Sequence, residues 1–520
     1  MTTPDPAAAT RPEHPPTTRL GDLADALASV PDAGPRLLGD PDTSVTGMSL
    51  SSQRVRPGDL YAALPGARAH GADYAADAVA AGAVALLTDE AGARVAAGLG
   101  VPVLVVGRPR ALLGGIAARV YADPTRRLRM IGVTGTQGKT TTTRLLEGGL
   151  QAAGVTAGVI GTVGTRMAGE DVRTTLTTPE APDLQGLFAR MVERGVEACA
   201  MEVSSHALVM GRVDGIVFDV AVFLNLGRDH LDFHADLEDY FQAKASLFTP
   251  QRARLGLVSV DDEHGRRLAA EAPVEVRTFS AAGADADWRA TDVALGPVGS
   301  DFVVHGPGLP AGGLPARSPL AGGFNVSNTL AAIAAAAEAG LDPAAVAAGI
   351  AAGGGVPGRL ERVSTADDDI TVVVDYAHKP DAVEAAVAAL RPLTEGRVVV
   401  VIGAGGDRDA GKRPIMGEIA ARLADVVVIT DDNPRTEDPA AIRAALLEGA
   451  RAAARESGAE VLEVGGRRDA VDRAVALADP GDIVLVAGKG HETGQEVHGV
   501  VHPFDDRDVA REALATRRQR

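Results

Sequence analysis

The sequence predicts an α/β protein of three domains: a small N-terminal α/β domain, a central P-loop ATPase-like domain and a C-terminal Rossmann-like doubly wound sheet. Three observations favour this fold class. The chain of 520 residues is long enough for about three domains. Within 128–153 an apolar segment runs into a glycine-rich turn and then into a helical pattern. Beyond residue 357, strand and helix patterns alternate regularly.

The first part of the chain predicts a tail followed by a small domain. Residues 1–18 are rich in Pro and Thr and lack the apolar core of a signal peptide, so we expect a disordered tail. A helical pattern begins at Leu20, and apolar runs at 83–88 and 101–106 predict two strands. Pro102 restricts the second of these to a strand start or a sheet edge. The predicted α/β domain spans 19–125.

The central domain, predicted at 126–356, opens on a phosphate-binding pattern. A buried strand ends near Val133, and the turn Gly135 to Thr141 precedes a helix. Backbone N–H groups of such a turn, the helix N-terminus and the charge of Lys139 favour a bound phosphate. Thr140 is placed to offer its hydroxyl to Mg²⁺. The spacing departs from the usual Walker A pattern, which has a glycine where this chain has Val133. We predict a nucleoside triphosphate site.

Further polar groups follow other strands of the central domain. Glu202 comes near the end of a predicted strand at 198–203, where a carboxylate suits Mg²⁺. The strand predicted at 216–224 runs into 225–234, which is rich in acids and histidines and indicates a site. The threonine-rich loop 174–180 either lines a polar pocket or is solvated. Lys244 lies on an amphipathic helical pattern and on these grounds alone is a solvated lysine.

The C-terminal domain, predicted at 357–520, shows the clearest alternation. Predicted strands lie at 370–374, 398–402, 426–429 and 483–486, and predicted helices at 381–391, 413–423, 438–455 and 467–478. Charged or glycine-rich motifs follow the strands at 375–378, 403–409, 431–435 and 488–492. Doubly wound sheets bind ligands at the carboxyl ends of their strands. We therefore expect a second ligand site there.

Composition excludes several other classes. The net charge is −18 without a lysine-rich run, which argues against nucleic acid or an anionic membrane as the main partner. The single cysteine, Cys199, rules out an intrachain disulfide and a cysteine zinc cluster, and its apolar neighbours predict a buried structural thiol. Because no window of 18 residues is free of charges and glycines, we expect no membrane span and a cytoplasmic protein.

Ten segments in this order resemble the Mur ligase family, and most closely its diaminopimelate-adding members. They are GTQGKTT, MEVSSHAL, NLGRDHLDFH, YFQAKASLF, GGFNVSN, VPGRLE, VDYAH, GAGGDRDAGKRPIMG, DDNPRTEDP and GKGHE, and the similarity extends from about Leu50 to Glu492. The resemblance implies an ATP-dependent amide ligase of peptidoglycan synthesis. Such an enzyme joins meso-diaminopimelate to UDP-N-acetylmuramoyl-L-alanyl-D-glutamate through an acyl phosphate.

The resemblance also implies roles for residues around the nucleotide. The positions matching ATP contacts are Gly135, Thr136, Gln137, Gly138, Lys139, Thr140, Thr141, Asn325, Arg359 and Asp375. The implied magnesium ligands are Thr140, Glu202, His230 and Lys244, the last as a carbamate. Lys139, His230 and Lys244 are the implied catalytic residues. Mg²⁺ and ATP are thus the expected cofactor and co-substrate.

The two other substrates match further positions. Those matching UDP-muramyl dipeptide contacts are Leu50, Ser52, Ala67, Arg68, Ala69, Thr177, Thr178, Ser204 and Arg212. Those matching the diaminopimelate pocket are Arg408, Asp432, Asn433, Pro434, Arg435, Gly488 and Glu492. Diaminopimelate differs from lysine by one carboxylate, which the guanidinium of Arg435 can bind through two hydrogen bonds. Met210 stands where relatives commonly have glutamine.

Other functions remain open on the sequence. A lysine-adding sister ligase or a folylpolyglutamate synthetase would share the phosphate loop, and phosphate release with different amino acids would separate them. A non-catalytic ATP-binding regulator would release no phosphate with any amino acid. A kinase would leave the strand-end motifs of the third domain without a ligand.

Overall fold

The computed structural model describes residues 10–172, 174, 176–231, 233–296 and 298–519. It is a mixed α/β structure with several parallel sheets, which confirms the predicted fold class. The chain divides into two compact units. The first comprises Met1–Arg289, His305–Gly312 and Leu330–Gly349, and the second Ala290–Val304, Gly313–Thr329 and Ile350–Arg520.

The first unit begins with a five-stranded sheet. Its elements and those beside it are Thr18–Arg19 (β1), Leu20–Ala28 (α1), Arg36–Leu38 (β2), Ser44–Val45 (β3), Gly47–Ser49 (β4), Asp59–Ala62 (β5), Ala75–Ala80 (α2), Ala85–Thr88 (β6), Glu90–Val95 (α3), Val103–Val105 (β7) and Pro109–Val120 (α4). The strand order is β2-β7-β6-β5-β4, with only β2 antiparallel. Strand β7 begins just after Pro102, as the missing N–H of proline predicts.

The segment before β1 differs from the predicted tail. Residues 1–9 lie outside the described residues, but Thr10 and Arg11 are buried. The Arg11 guanidinium donates to both carboxylate oxygens of Asp59, at 2.6 and 3.1 Å. The backbone N–H groups of Glu13 and His14 donate to the carboxylate of Glu193. The prediction of disorder is therefore wrong for residues 10–18. No local signal in the sequence indicated this order, because the residues that contact the segment lie far away in the sequence.

A larger sheet carries the phosphate-binding turn. Its elements in the first unit are Arg129–Thr134 (β8), Lys139–Ala152 (α5), Ala157–Ile160 (β9), Thr165–Met167 (β10), Glu170–Val172 (β11), Ala181–Glu193 (α6), Ala198–Glu202 (β12), Ser205–Val209 (α7), Phe218–Phe223 (β13), Leu237–Ala245 (α8), Ala253–Ser259 (β14), Glu263–Glu271 (α9) and Glu275–Ser280 (β15). The order is β11-β10-β9-β12-β8-β13-β14-β15. Strand β8 pairs in parallel with β12 and β13, so the ends of all three strands meet at one edge.

The division between the units crosses the next elements. These are Trp288–Gly296 (β16), Gly299–His305 (β17), Leu314–Ser318 (β18), Gly323–Glu338 (α10) and Pro343–Ala352 (α11). Within the first unit, Phe279 and Ser280 pair with Trp288 and Arg289. Within the second, β17 and β18 form an antiparallel pair. The sequence predicted strands in this region without placing them.

The second unit contains a doubly wound sheet. Its remaining elements are Glu361–Arg362 (β19), Thr371–Asp375 (β20), Pro380–Leu390 (α12), Val398–Ile402 (β21), Lys412–Leu423 (α13), Val426–Ile429 (β22), Pro439–Ser457 (α14), Glu460–Glu463 (β23), Arg467–Leu477 (α15), Ile483–Ala487 (β24), Gly494–Val497 (β25), Val500–Pro503 (β26) and Asp506–Arg518 (α16). The order is β19-β20-β24-β21-β22-β23, parallel except for β19. Separate apolar cores cover the two faces.

The single cysteine is part of the central sheet. Cys199 lies on β12 with none of its surface exposed, which confirms the predicted buried thiol. Burial raises the pKa of this thiol well above its ordinary value. Among the helices in the described part of the chain, none has the length and apolar character required to cross a membrane.

Candidate active site

The turn between β8 and α5 has the backbone geometry of a phosphate loop. Gly135 and Gly138 have φ angles of 154° and 87°, which disfavour any side chain. A Cβ at Gly135 would also lie 3.0 Å from the Cβ of Leu224. Nζ of Lys139 donates to the carbonyl oxygens of Gly135 and Thr136, at 2.7 and 3.1 Å. The loop thus holds the lysine charge against the N-terminus of α5.

Asn225, to which the sequence analysis gave no role, organises this loop. It follows β13, and its Oδ1 accepts hydrogen bonds from the backbone N–H groups of Thr136 and Gln137, at 3.1 and 2.9 Å. Its Nδ2 donates to the carbonyl oxygen of Gln137 at 3.2 Å. The side chain therefore clamps the loop from the neighbouring strand. In the sequence, the only signal for Asn225 was its position directly after a predicted strand.

Glu202 and Thr140 meet at the edge of the same sheet. The carboxylate of Glu202 is buried at the end of β12, and its Oε1 accepts from Oγ1 of Thr140 at 2.9 Å. Thr162 donates to both Glu202 oxygens through its backbone N–H and its hydroxyl, at 2.8 and 3.1 Å. A Cβ at Gly161 would lie 2.3 Å from Oε1, so only glycine leaves room for this carboxylate.

Lys244 is buried, which contradicts its interpretation from the residues alone as a solvated lysine. Only 1% of its surface is exposed, and its Nζ donates to the carbonyl oxygen of Gly135 at 2.9 Å. The same nitrogen lies 4.5 Å from the centre of the Tyr240 ring. Lys244 therefore reaches the phosphate loop from α8. Sequence pattern could not show this, because the contact joins residues 109 positions apart.

His230 lies in a group of aromatic rings beyond β13. Its φ angle of 54° is unusual for a residue with a side chain and indicates a constrained turn. Its ring centre lies 4.9 Å from that of His206 and 6.0 Å from that of Tyr240. Nε2 of His230 lies 3.3 Å from Oδ2 of Asp229. Asp232, from the same predicted segment, lies outside the described residues.

The residues beside the loop have the chemistry of magnesium ligands. Mg²⁺ typically takes one or two protein carboxylates together with waters and substrate phosphates. The Thr140 hydroxyl and the Glu202 carboxylate, hydrogen-bonded to each other beside a phosphate loop, fit that donor set. Within the described part of the chain, no three His, Cys, Asp or Glu side chains converge enough to hold a metal by themselves.

Four of the predicted dipeptide positions form one hydrogen-bonded group. Oγ1 of Thr178 donates to the carbonyl oxygen of Glu202 at 2.8 Å and accepts from the backbone N–H of Ser204 at 3.3 Å. Nη1 of Arg212 donates to the carbonyl oxygen of Thr178 at 3.2 Å. The hydroxyls of Thr177 and Thr162 are 3.1 Å apart. Thr177 and Thr178 therefore lie beside Glu202.

Arg212 also joins an ion-pair group. Its Nε donates to Glu180 at 2.8 Å, and Arg110 on α4 contacts the same carboxylate at 2.8 Å. Nη2 of Arg212 lies 3.4 Å from the sulfur of Met210. Arg110 comes from the N-terminal sheet region, so the pairing links that region to the central sheet.

The remaining dipeptide positions lie on two connections of the N-terminal sheet. Leu50 and Ser52 follow β4, and Ser52 starts a short 3₁₀ helix. Ala67, Arg68 and Ala69 are exposed on the connection after β5. The carbonyl oxygen of Ala69 accepts from the backbone N–H of Gly66 at 3.1 Å, which closes a tight turn.

Three predicted ATP positions lie in the second unit. Nδ2 of Asn325 donates to the carbonyl oxygen of Ala321 at 2.8 Å. Asp375 ends β20 and accepts from the backbone N–H of Leu360 at 2.7 Å. The guanidinium of Arg359 lies 4.5 Å from the centre of the Tyr376 ring. Burial raises the pKa of Asp375, and the charge of Arg359 opposes that rise.

The predicted amino-acid pocket contains a buried lysine that the sequence analysis did not single out. Nζ of Lys489 lies 2.8 Å from Oδ1 of Asn433, 3.2 Å from Oε2 of Glu492 and 3.4 Å from Oδ1 of Asp432. Nδ2 of Asn433 donates to the same oxygen of Glu492 at 2.9 Å. Lys489 therefore holds three predicted pocket residues together at the ends of β22 and β24. Its place inside the GKGHE segment was the available signal.

Arg435 is the neighbouring cation of this pocket. Its Nη1 donates to the carbonyl oxygen of Gly406 at 2.7 Å, and its Nε lies 3.3 Å from Oε2 of Glu496. A Cβ at Gly406 would lie 1.9 Å from the carbonyl oxygen of Pro434, so glycine is required there. Arg408 lies on the exposed part of the connection after β21.

Gly488 lies directly after β24, beside Asp432 of the predicted pocket. Its φ of 123° favours glycine, and a Cβ there would lie 3.5 Å from Oδ2 of Asp432. Beneath it, the buried guanidinium of Arg467 pairs with Asp506 at 2.7 Å. Arg467 also donates to the carbonyl oxygens of Asp431 and Ala487, at 3.2 and 2.9 Å. Arg467 thus ties together the carboxyl ends of β22 and β24.

Comparison with known proteins adds three family-model matches. The model described as the Mur ligase family catalytic domain matches residues 44–121, the Mur ligase middle domain matches 133–336, and the Mur ligase glutamate ligase domain matches 358–490.

Individual relatives extend over almost the whole chain. The UDP-N-acetylmuramoyl-L-alanyl-D-glutamate--2,6-diaminopimelate ligases of Streptomyces avermitilis and Streptomyces coelicolor are each 57% identical to this chain, over 99% of both chains. A solved structure of a protein with the same name has a TM-score of 0.67 and 33% identity, covering 97% of this chain and 100% of that one.

Proposed function

Because this chain belongs to the Mur ligase family of ATP-dependent ligases, we propose that it joins meso-diaminopimelate to UDP-N-acetylmuramoyl-L-alanyl-D-glutamate. The reaction would serve peptidoglycan precursor synthesis in the cytoplasm. The observation that carries the proposal is the group of Asp432, Asn433, Arg435 and Glu492 at the strand ends of the C-terminal sheet. This group contains the negative charges that can bind an ammonium group and the positive charge that can bind a carboxylate group of the incoming amino acid.

Three domains divide the work in this proposal. Residues 19–125 bind the UDP-muramyl part of the substrate, with Leu50, Ser52 and 67–69 as contacts. Residues 126–356 bind ATP and the dipeptide, and residues 357–520 bind the incoming amino acid. The close agreement between the Streptomyces ligases and this chain over its full length supports this assignment.

The first chemical step activates the glutamyl carboxylate. A carboxylate oxygen attacks the γ-phosphorus of ATP, the bond to the β-phosphate oxygen breaks, and ADP leaves with that electron pair. An acyl phosphate is formed. Because two anions must approach, the positive charge of Lys139 and the loop N–H groups offset their repulsion. Asn325, Arg359 and Asp375 are proposed to contact the nucleotide.

The second step forms the amide bond. The amine of diaminopimelate, having lost one proton to water, attacks the acyl carbon to give a tetrahedral intermediate. The C–O bond to phosphate then breaks, phosphate leaves with that electron pair, and the nitrogen loses a second proton to water to give the amide. Thr177, Thr178, Ser204 and Arg212 are proposed to hold the dipeptide beside the phosphate loop. The hydrogen bond from Thr178 to the Glu202 carbonyl supports this placement, because it joins the dipeptide group to the metal group.

Magnesium is the expected cofactor, with Thr140, Glu202, His230 and a carbamylated Lys244 as its proposed ligands. When bound, it supplies positive charge to the phosphate oxygens. Lys244 as an ammonium is a cation and cannot serve as a ligand, whereas its carbamate offers anionic oxygens. The burial of Lys244 beside the carbonyl oxygen of Gly135, in the phosphate-loop region, supports this proposal.

Selection of the amino acid follows from the charges of the pocket. Asp432 and Glu492 provide negative charge for an ammonium, and Arg435 provides a fork for the second carboxylate. Lysine lacks that carboxylate and would leave Arg435 without a substrate partner. Gly488 and Arg408 are also proposed to contact the amino acid, Arg408 through the carboxylate next to the reacting amine.

The test measures phosphate release from ATP with the UDP-muramyl dipeptide, comparing meso-diaminopimelate with L-lysine. We expect release with diaminopimelate only, and Arg435→Ala should lower kcat/KM for diaminopimelate by about 100-fold. Arg422→Ala is the control, because Arg422 pairs with Glu384 between two helices, away from the pocket loop. Release with lysine would instead indicate a lysine-adding ligase, and no release with either would indicate a non-catalytic nucleotide-binding protein.

A further inference from the structure

A β-hairpin formed by β25 and β26 extends the amino-acid pocket beyond the doubly wound sheet. The backbone N–H of Arg435 donates to the carbonyl oxygen of Glu496 at 3.0 Å, and the carbonyl oxygen of Arg435 accepts from the N–H of His498 at 2.7 Å. Arg435 thereby pairs in parallel with Val497 of β25. The hairpin therefore binds both the backbone N–H and the backbone carbonyl of Arg435.

Two further contacts join the hairpin to the same loop. Nε2 of Gln495 donates to the carbonyl oxygen of Asp432 at 2.6 Å. The backbone N–H of Glu496 donates to Oδ1 of Asn433 at 3.0 Å. Because Lys489 donates to that oxygen as well, the amide of Asn433 is fixed with its nitrogen toward Glu492. The hairpin thus contacts Asp432 and Asn433 of the pocket loop as well as Arg435.

The backbone of Arg435 needs this support. Its φ angle is 52°, in the left-handed region that a residue with a side chain adopts at a cost in free energy. Such a conformation persists where surrounding contacts determine it, and the two hairpin hydrogen bonds are contacts of that kind. The direction in which the Arg435 side chain leaves the loop therefore depends on the hairpin.

The side chain of Glu496 fixes the other end of the arginine. Its Oε2 lies 3.3 Å from Nε of Arg435, while the carbonyl oxygen of Gly406 accepts from Nη1. The ion pair at Nε and the hydrogen bond from Nη1 therefore orient the planar guanidinium, and we expect Nη2 to meet the substrate carboxylate. The Glu496 side chain is 38% exposed, so solvent screens both its attraction to Arg435 and its repulsion of an incoming anion, and substitution of Glu496 separates the two effects.

We propose that Glu496 is a positioning residue that sets the amino-acid specificity of this pocket by orienting the guanidinium of Arg435. The inference rests on the proposed function, because it requires a substrate with a second carboxylate. It assigns the selection of that carboxylate to the hairpin as well as to Arg435. A neutral acceptor of the same shape, such as glutamine, should preserve the orientation.

The experiment compares Glu496→Ala, Glu496→Gln and the control Glu463→Ala in the full-length protein. Glu463 is matched, since it contacts Nε of Arg443 at 3.1 Å and is 39% exposed. Steady-state phosphate release is measured against the concentration of each substrate, with diaminopimelate and lysine compared. Thermal unfolding of each variant is recorded alongside.

For Glu496→Ala we expect KM for diaminopimelate to rise about tenfold and the preference over lysine to fall by a similar factor. The values of kcat and of KM for ATP and the dipeptide should stay within about twofold. Glu496→Gln and Glu463→Ala should remain within about threefold of wild type for diaminopimelate. A general loss of folding would instead change every parameter together.

Unchanged KM for diaminopimelate in Glu496→Ala would overturn the inference, as would a lower KM in both Glu496 variants, which would indicate repulsion rather than positioning. An equal loss in Glu496→Ala and Glu496→Gln would likewise overturn it. In each of these results the wild-type enzyme remains active, so the proposed function stands. If wild-type protein released no phosphate with diaminopimelate, the proposed function would fail and this inference with it.

Discussion

The hydroxyl of Thr140 and the carboxylate of Glu202 are joined by a hydrogen bond of 2.9 Å between Oγ1 and Oε1. The two residues are 62 positions apart, and they meet because β8 and β12 are neighbouring parallel strands. Their contact places an oxygen pair at the N-terminus of α5, beside the lysine of the phosphate loop.

This pair predicts a loss of phosphate release in Glu202→Gln. The amide keeps the shape but removes the negative charge that a cation requires, so we expect kcat to fall at least about 100-fold. Thr140→Ser keeps the hydroxyl and should retain most activity. The control is Thr143→Ala on the same helix, whose hydroxyl donates to the carbonyl oxygen of Lys139. Wild-type turnover by Glu202→Gln would contradict the role of this carboxylate.

The lysine beneath the amino-acid pocket gives a second prediction. Lys489→Met should raise KM for diaminopimelate about tenfold and destabilise the fold by about 3 kcal/mol, because the buried carboxylate of Asp432 and the partly exposed carboxylate of Glu492 lose their cation. The matched control is Arg397→Met, which breaks contacts with Asp479 and Asp482 away from the pocket. Steady-state kinetics and denaturant unfolding separate the two effects. An unchanged KM in Lys489→Met would show that the cluster serves stability alone.

The N-terminal segment gives a prediction about stability. Arg11→Met should lower the free energy of unfolding by about 3–5 kcal/mol, because it leaves the buried carboxylate of Asp59 without its partner. Arg36→Met, which breaks an exposed pair with Glu90, should cost at most about 1 kcal/mol. Urea unfolding followed by circular dichroism measures both. Equal effects of the two variants would argue against a buried, structural Arg11.

His378 predicts a dependence of stability on pH. Burial lowers its pKa to about 4, below the ordinary value of 6.5, although a hydrogen bond to the Tyr376 carbonyl acts in the opposite direction. Between these values the unfolded chain binds a proton that the folded protein does not, so stability falls as pH falls from about 6.5 to about 4. We expect this group to account for at most about 3 kcal/mol over that range.

The measurement for this prediction is urea unfolding at several pH values in wild type and His378→Asn. The variant lacks the titrating ring, so its stability should fall less steeply between pH 6.5 and 4. If the free energy of unfolding depended on pH in the same way in both proteins, other groups would account for the loss of stability in acid.

Sequence pattern predicted the elements whose signals are local. The apolar run of β8, the glycines of the turn and the start of α5 lie within 25 residues, so the phosphate loop could be located directly. The doubly wound sheet was found for the same reason, because β20, β21, β22 and β24 are continuous apolar runs. Strand β23 was missed, since its edge position leaves it short and partly charged.

The parts that were missed depend on distant partners. Arg11 has no local signal of burial, because its ion pair with Asp59 forms only in the folded chain. Asn225 can bind the phosphate loop only because β13 pairs with β8. The hairpin that holds Arg435 has one partly buried strand and one exposed strand, with no alternation of buried and exposed residues, so no periodicity marked it. Lys244 had a role only through family resemblance until its burial was seen.

The enclosure of Cys199 has a practical consequence. The folded protein presents no native target to thiol-reactive dyes, spin labels or electrophilic fragments, because its single sulfhydryl is sealed within β12. Cysteines introduced at exposed positions can therefore be labelled selectively while the native residue stays in place. An inhibitor that alkylates cysteine cannot reach Cys199 in the folded protein. The thiol stays reduced unless the sheet opens.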